Sequence, residues 1–82
     1  MKTPTVHLNG SSREALETQF RDVVSALQSL IEAMVEARPN GRDYYPQGDA
    51  AFQEAQVEHA RRLTIASNLK REYEELWESV QP

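Results

Sequence analysis

Between Leu16 and Met34 an apolar side chain returns every three or four residues: Leu16, Phe20, Val23, Leu27, Leu30 and Met34. An α-helix completes a turn in 3.6 residues, so this spacing lays the six side chains along one stripe of a helix; a strand needs alternation in twos and does not fit. Val24 and Ile31 widen the stripe on one side. Ser11-Ser12-Arg13-Glu14 reads as a capping box, with the Ser11 hydroxyl accepting from the backbone N–H three residues on and Glu14 reaching back. Pro39 closes the helix, because proline disfavours helical geometry in the residue before it. The expected first helix covers about 12–37.

A second stripe runs through Phe52, Ala55, His59, Arg62, Ala66, Leu69, Tyr73, Leu76 and Val80, again spaced by 3 and 4. No Pro or Gly interrupts residues 49–81. The expected second helix covers about 50–80, with Asp49 as its N-cap. Residues 39–48, Pro-Asn-Gly-Arg-Asp-Tyr-Tyr-Pro-Gln-Gly, form the connection; Asn40-Gly41 favours positive φ there. A connection this short folds helices of similar length antiparallel. The expected fold is therefore all-α, one helical-hairpin domain over residues 1–82. Residues 1–10 form an extended N-terminal arm, in which Thr5-Val6-His7-Leu8 alternates like a short strand.

One hairpin is a poor shelter for this much apolar surface. Val24, Ile31, Val35, Ile65 and Trp77 fall beside or outside the two stripes and are expected to be exposed on a lone chain. A chain of 82 residues without cysteine has no disulfide or thiolate metal site to supplement a small core. A four-helix dimer or larger homo-oligomer is the expected remedy, packed through Phe20, Val24, Leu27, Ile31, Leu69, Tyr73, Leu76 and Trp77. Val6 and Leu8 are expected to dock the arm across a neighbouring copy, the alternative being that the first ten residues are mobile.

The charge balance narrows the partners. Nine Lys and Arg against 13 Asp and Glu give −4, which repels a phosphate backbone over most of the surface. No apolar run is long enough to span a bilayer, and the first residues lack the apolar stretch of a signal peptide. A cytoplasmic protein that binds neither membrane nor nucleic acid is expected.

Chemistry-bearing residues are few. Arg42, Tyr44 and Tyr45 in the loop offer a guanidinium fork, stacking faces and hydroxyl donors, suited to a phosphate, a carboxylate or a protein surface. The alternative is that the tyrosines fold back over the open end of the hairpin while Asp43 pairs with Arg42 or caps a turn. His59 and Arg62 sit where the second stripe calls for apolar residues. They either present a pocket for an anion between subunits, or reach outward while Gln56 and Leu63 carry the packing, or form a structural ion pair with Glu17, Asp22 or Glu58. His7 and His59 are the only histidines and have no metal-ligand spacing, so no metal or cofactor is expected. No serine sits in a nucleophile elbow or triad pattern, and no carboxylate pair is enclosed, so no enzymatic activity is expected. Glu72-Tyr73-Glu74-Glu75-Leu76-Trp77-Glu78 mixes acids with aromatics, either a docking face for a basic partner or a solvated face. The basic pairs Arg61-Arg62 and Lys70-Arg71 are expected to pair with neighbouring glutamates.

The start Val6-His7-Leu8-Asn9-Gly10-Ser11-Ser12-Arg13-Glu14 and the loop Pro39 to Gly48 resemble a group of small uncharacterised proteins from tailed phages and prophages. That resemblance implies a context rather than an activity: accessory proteins that bind host or phage proteins, including those that disable host defence. The helical layout is also loosely similar to phage helical-hairpin sponges that sequester nucleotide immune signals, which puts Arg42, Tyr44, Tyr45, His59 and Arg62 around a nucleotide at subunit interfaces. A small structural or assembly component of a virion is the third expectation.

Overall fold

A computed structural model describes all residues 1–82. Helix α1 spans Arg13–Glu36 and helix α2 Asp49–Ser79, joined by two single 3-10 turns, Gly41–Asp43 and Tyr45–Gln47. There is no strand. The helices lie antiparallel along a rod of 62 × 20 × 17 Å. Two observations fix their register. The Phe20 and Tyr73 rings meet at 6.4 Å between centroids, and Gly41 sits against the ring of Phe52 near the loop. In both pairs the residue numbers sum to the same value, so the helices stay in step along the whole hairpin.

The helix ends differ in detail from the sequence reading. Ser12, not Ser11, is the N-cap of α1: the Ala15 N–H donates to its hydroxyl at 3.1 Å. This moves the third helical position to Ala15, so the capping box with Glu14 does not form, and Glu14 is left in the first turn where an acid suits the helix dipole. At the other end Ala37 caps α1, and Arg38 donates from its guanidinium to the Val35 carbonyl at 3.1 Å. Asp49 is not the cap of α2 but its first residue. Gly48 precedes it at φ 98°, a left-handed conformation that glycine adopts without strain. The positive φ expected at Asn40-Gly41 is absent there. Asn40 is extended instead, its side chain accepting from the Arg42 N–H at 3.0 Å to start the first 3-10 turn.

The arm forms no strand. It ends in a turn closed by the Gly10 N–H on the His7 carbonyl at 3.1 Å, and Leu8 is 98% exposed, so the chain's own hairpin gives the arm no dock.

Only Val24, Leu27, Ala66 and Val80 are buried. Phe20, Ile31, Met34, Leu63, Tyr73, Leu76 and Trp77 are half-buried. The seam is thus displaced from the one read in the sequence. A straight helix turns about 20° away from a strict seven-residue repeat with each heptad. Along the series Leu16–Val23–Leu30 the stripe accordingly turns away from the interface, with Leu16 and Val23 half-buried and Leu30 48% exposed, while Val24 is buried and Ile31 half-buried in the seam. On α2 the same drift brings Leu63 and the stem of Lys70 into the seam in place of Arg62 and Leu69. Trp77, expected outside the seam, is inside it, with its indole nitrogen shielded from solvent. Of the residues expected to pack between copies, Phe20, Val24, Leu27 and Tyr73 are spent on the hairpin itself, and Leu69 alone is fully on the exposed side.

Candidate functional site

The polar residues singled out in the sequence gather in part. At the loop end, α1 stops at Ala37 and Pro39 turns the chain outward, leaving an open cleft of about 370 Å³ between the end of α1, the loop and the first half of α2. Tyr44, His59 and Arg62 line it, together with Gln47, Glu54 and Glu58. Ala37, Ala51 and Ala55 form its low walls. The α2 contributors recur at 51, 55, 58 and 62, three or four apart, so they share one side of the helix.

Tyr44 is held there by packing. Its ring is half-buried and lies 6.3 Å from that of Phe52, tilted by 33°, a common aromatic separation. The fold-back over the open end of the hairpin is thus achieved by Tyr44 alone. Tyr45 is 76% exposed and points away from the cleft's lining. Arg42 is also elsewhere, in a separate shallow depression with Arg38, Glu36 and Asp43. The five candidates therefore do not form one constellation within a chain.

His59 stays on the seam, as its spacing indicated. Its Nε2 is shielded from solvent and has no hydrogen-bond partner, an arrangement that costs on the order of 1–3 kcal/mol. Replacing His59 with leucine is therefore expected to raise the melting temperature, by roughly 4–8 °C for a gain of about 1 kcal/mol. Differential scanning calorimetry checks this, and an unchanged or lower melting temperature would mean that His59 is serving a bound group or an ordered water. Arg62 does not occupy the seam. Its side chain is 55% exposed and pairs with Glu58 one turn back at 4.0 Å, a surface pair of little energetic weight.

Glu58 is one of the ion-pair partners expected from the sequence; Glu54, one turn further back, was not read as a site residue, although counting back from Arg62 in steps of four was enough to find it. The two change the chemistry of the cleft. Two carboxylates against one guanidinium leave no net cationic character for a phosphate-rich ligand. No three His, Asp or Glu side chains gather closely enough to hold a metal ion.

The acidic-aromatic run near the C-terminus divides by side. Tyr73, Leu76 and Trp77 turn into the hairpin, whereas Glu72, Glu74, Glu75 and Glu78 are exposed. Its aromatics are therefore not offered to a partner. Of the two basic pairs, only Arg62 has a glutamate within ion-pair distance; Lys70 and Arg71 have none.

In comparisons with known proteins, no family, no curated protein and no solved structure matches this chain. No helix is long and apolar enough to cross a membrane.

Proposed function

We propose that this chain is a non-enzymatic binding protein, a self-associating helical hairpin that acts as an inhibitor or adaptor on a protein partner in the manner of a phage accessory protein. The observation that carries the reading is the poverty of the hairpin's own core. Four buried residues support a rod 62 Å long, while Leu30, Val35, Val57, Ile65 and Leu69 remain 42–70% exposed. Surface of that kind serves association. The phage context rests on the resemblance in Val6–Glu14 and Pro39–Gly48.

Tyr45 is the natural partner-facing residue. It is a rigid aromatic, 76% exposed at the tip of the loop and uninvolved in the hairpin's packing. Affinity capture from bacterial lysate is expected to recover one protein at fixed stoichiometry with the wild-type chain and at least about tenfold less with Tyr45→Ala. Equal recovery with both, or no stoichiometric protein at all, contradicts the reading.

The sponge reading draws support from the meeting of Tyr44, His59 and Arg62 in one cleft. Glu54 and Glu58 in the same cleft weigh against it, since a cyclic nucleotide brings further negative charge to a site without net positive charge. Melting curves with cyclic di- and trinucleotides separate the two readings through the stabilisation that any native-state ligand confers; curves unmoved by all of them favour a protein partner.

A further inference from the structure

Of the exposed apolar residues within the helices, Leu30, Ile65 and Leu69 share one side of the rod, whereas Val35 and Val57 lie elsewhere on it. At about 100° per residue, Leu30 and the half-buried Val23 lie on one side of the α1 seam, and Ile65 and Leu69 lie on the same-handed side of the α2 seam. Because the helices run in opposite directions, these two sides form a single face of the hairpin. The register set by Phe20–Tyr73 and Gly41–Phe52 brings Leu30 level with about residue 63 and Val23 level with about residue 70. Val23, Leu30, Ile65 and Leu69 therefore meet at mid-rod, around the small side chain of Ala26. The opposite face carries Arg21, Gln28, Gln56, Ser67 and Glu74 instead, all exposed.

We propose that a second copy of this chain covers the Val23–Leu30–Ile65–Leu69 face. The two copies are related by a two-fold axis that lies in the interface and crosses the helices at right angles, level with Ser67. The inference rests on the self-association reading and adds to it a face, a register and a charge pair. A two-fold interface must be complementary to itself, and α2 meets that condition about Ser67. Two residues before it is Ile65 and two after it Leu69, so an antiparallel α2–α2 contact sets isoleucine on leucine. Five before it is Arg62 and five after it Glu72, both exposed and on the same side of the helix, so each end of the apolar patch sets a guanidinium opposite a carboxylate. On α1 the same axis passes beside Ala26, whose small side chain admits close helix approach, and brings Val23 to within one residue of the level of Leu30 on the other copy. A two-fold axis parallel to the rod instead sets α2 on α1, which puts Arg62 level with Ile31 and Glu72 level with Arg21, so the two do not meet each other.

The area is adequate. About half of the 62 × 20 Å face amounts to roughly 600 Å² per copy and about 1,200 Å² in all, the lower limit of stable protein interfaces.

Charge reversal with rescue, followed by sedimentation equilibrium, tests the register. Each dimer contains the Arg62–Glu72 pair twice, so Arg62→Glu or Glu72→Arg alone makes two like-charge contacts and is expected to weaken association about tenfold or more. The double variant is expected to return to within about threefold of wild type, with helical circular dichroism unchanged throughout. The absence of Cys in the sequence allows a second measurement: Ala26→Cys is expected to form an inter-chain disulfide under oxidation, and Ser67→Cys on the opposite face is not. A wild-type dimer whose single variants associate normally, or whose double variant is not rescued, overturns the register and leaves self-association standing. A wild-type monomer overturns both.

Discussion

Truncating Leu27 to alanine is expected to remove about 2–4 kcal/mol of stability and to lower the melting temperature by more than about 10 °C. Leu27 is 8% exposed at the centre of the hairpin, and only Val24, Ala66 and Val80 share its burial. With so few residues in the core, the loss is a large part of the total stability that a domain of this size possesses. Leu30 occupies the next position of the same apolar repeat, yet it is 48% exposed. Leu30→Ala is expected to cost under about 1 kcal/mol in dilute solution. Its deficit grows with protein concentration, because the side chain matters to the second copy rather than to the hairpin. Circular dichroism melts over a concentration series distinguish the two variants, and equal, concentration-independent losses would contradict the placement of the seam.

The second large effect concerns assembly. Ile65→Lys combined with Leu69→Lys is expected to abolish self-association, weakening it by at least about a hundredfold, while leaving the helix content intact. Both side chains stand 55% and 42% exposed in the single chain, so their replacement withdraws little from the hairpin's own packing. Lysine is the informative choice. The chain carries −4, and two added positive charges reduce overall repulsion between copies, which favours association unless this particular face is needed for it. Analytical size exclusion at matched concentrations reads the result. A double variant that elutes with the wild type rules out the Ile65–Leu69 face as the interface.

Much of this architecture was legible in the chain because periodicity is a strong signal over long helices. The antiparallel hairpin, its loop and both helix spans follow from the spacing of apolar residues and from Pro39. What spacing could not resolve was direction within a wide stripe. Val23 and Val24 are both apolar, as are Leu30 and Ile31, and the choice between them depends on whether the helices coil to a strict seven-residue repeat or stay straight. The same ambiguity decided Arg62 against Leu63 and Leu69 against Lys70 on α2, and with it which side chains belong to the core and which to a free face.

Cap assignment failed for a related reason. Ser11 and Ser12 have equal N-cap propensity, and the hydrogen bond from Ala15 to Ser12 selects the second; Asp49 is the better cap by residue type, yet Gly48 precedes the helix at φ 98°. The candidate site divided because the loop makes two separate 3-10 turns. These send Tyr44 inward onto Phe52 and leave Arg42 and Tyr45 facing elsewhere, a separation that adjacency in sequence conceals. Glu54 and Glu58, by contrast, were accessible from helical spacing alone, and they alter the electrostatic reading of the cleft most.

Sedimentation equilibrium of the wild-type chain at micromolar concentration bears most directly on the central claim that the hairpin is half of a larger core. The expected result is a particle of twice the 9.4 kDa chain mass, dissociating on dilution with loss of thermal stability. A single 9.4 kDa species that melts cooperatively, at a temperature independent of concentration, would contradict it.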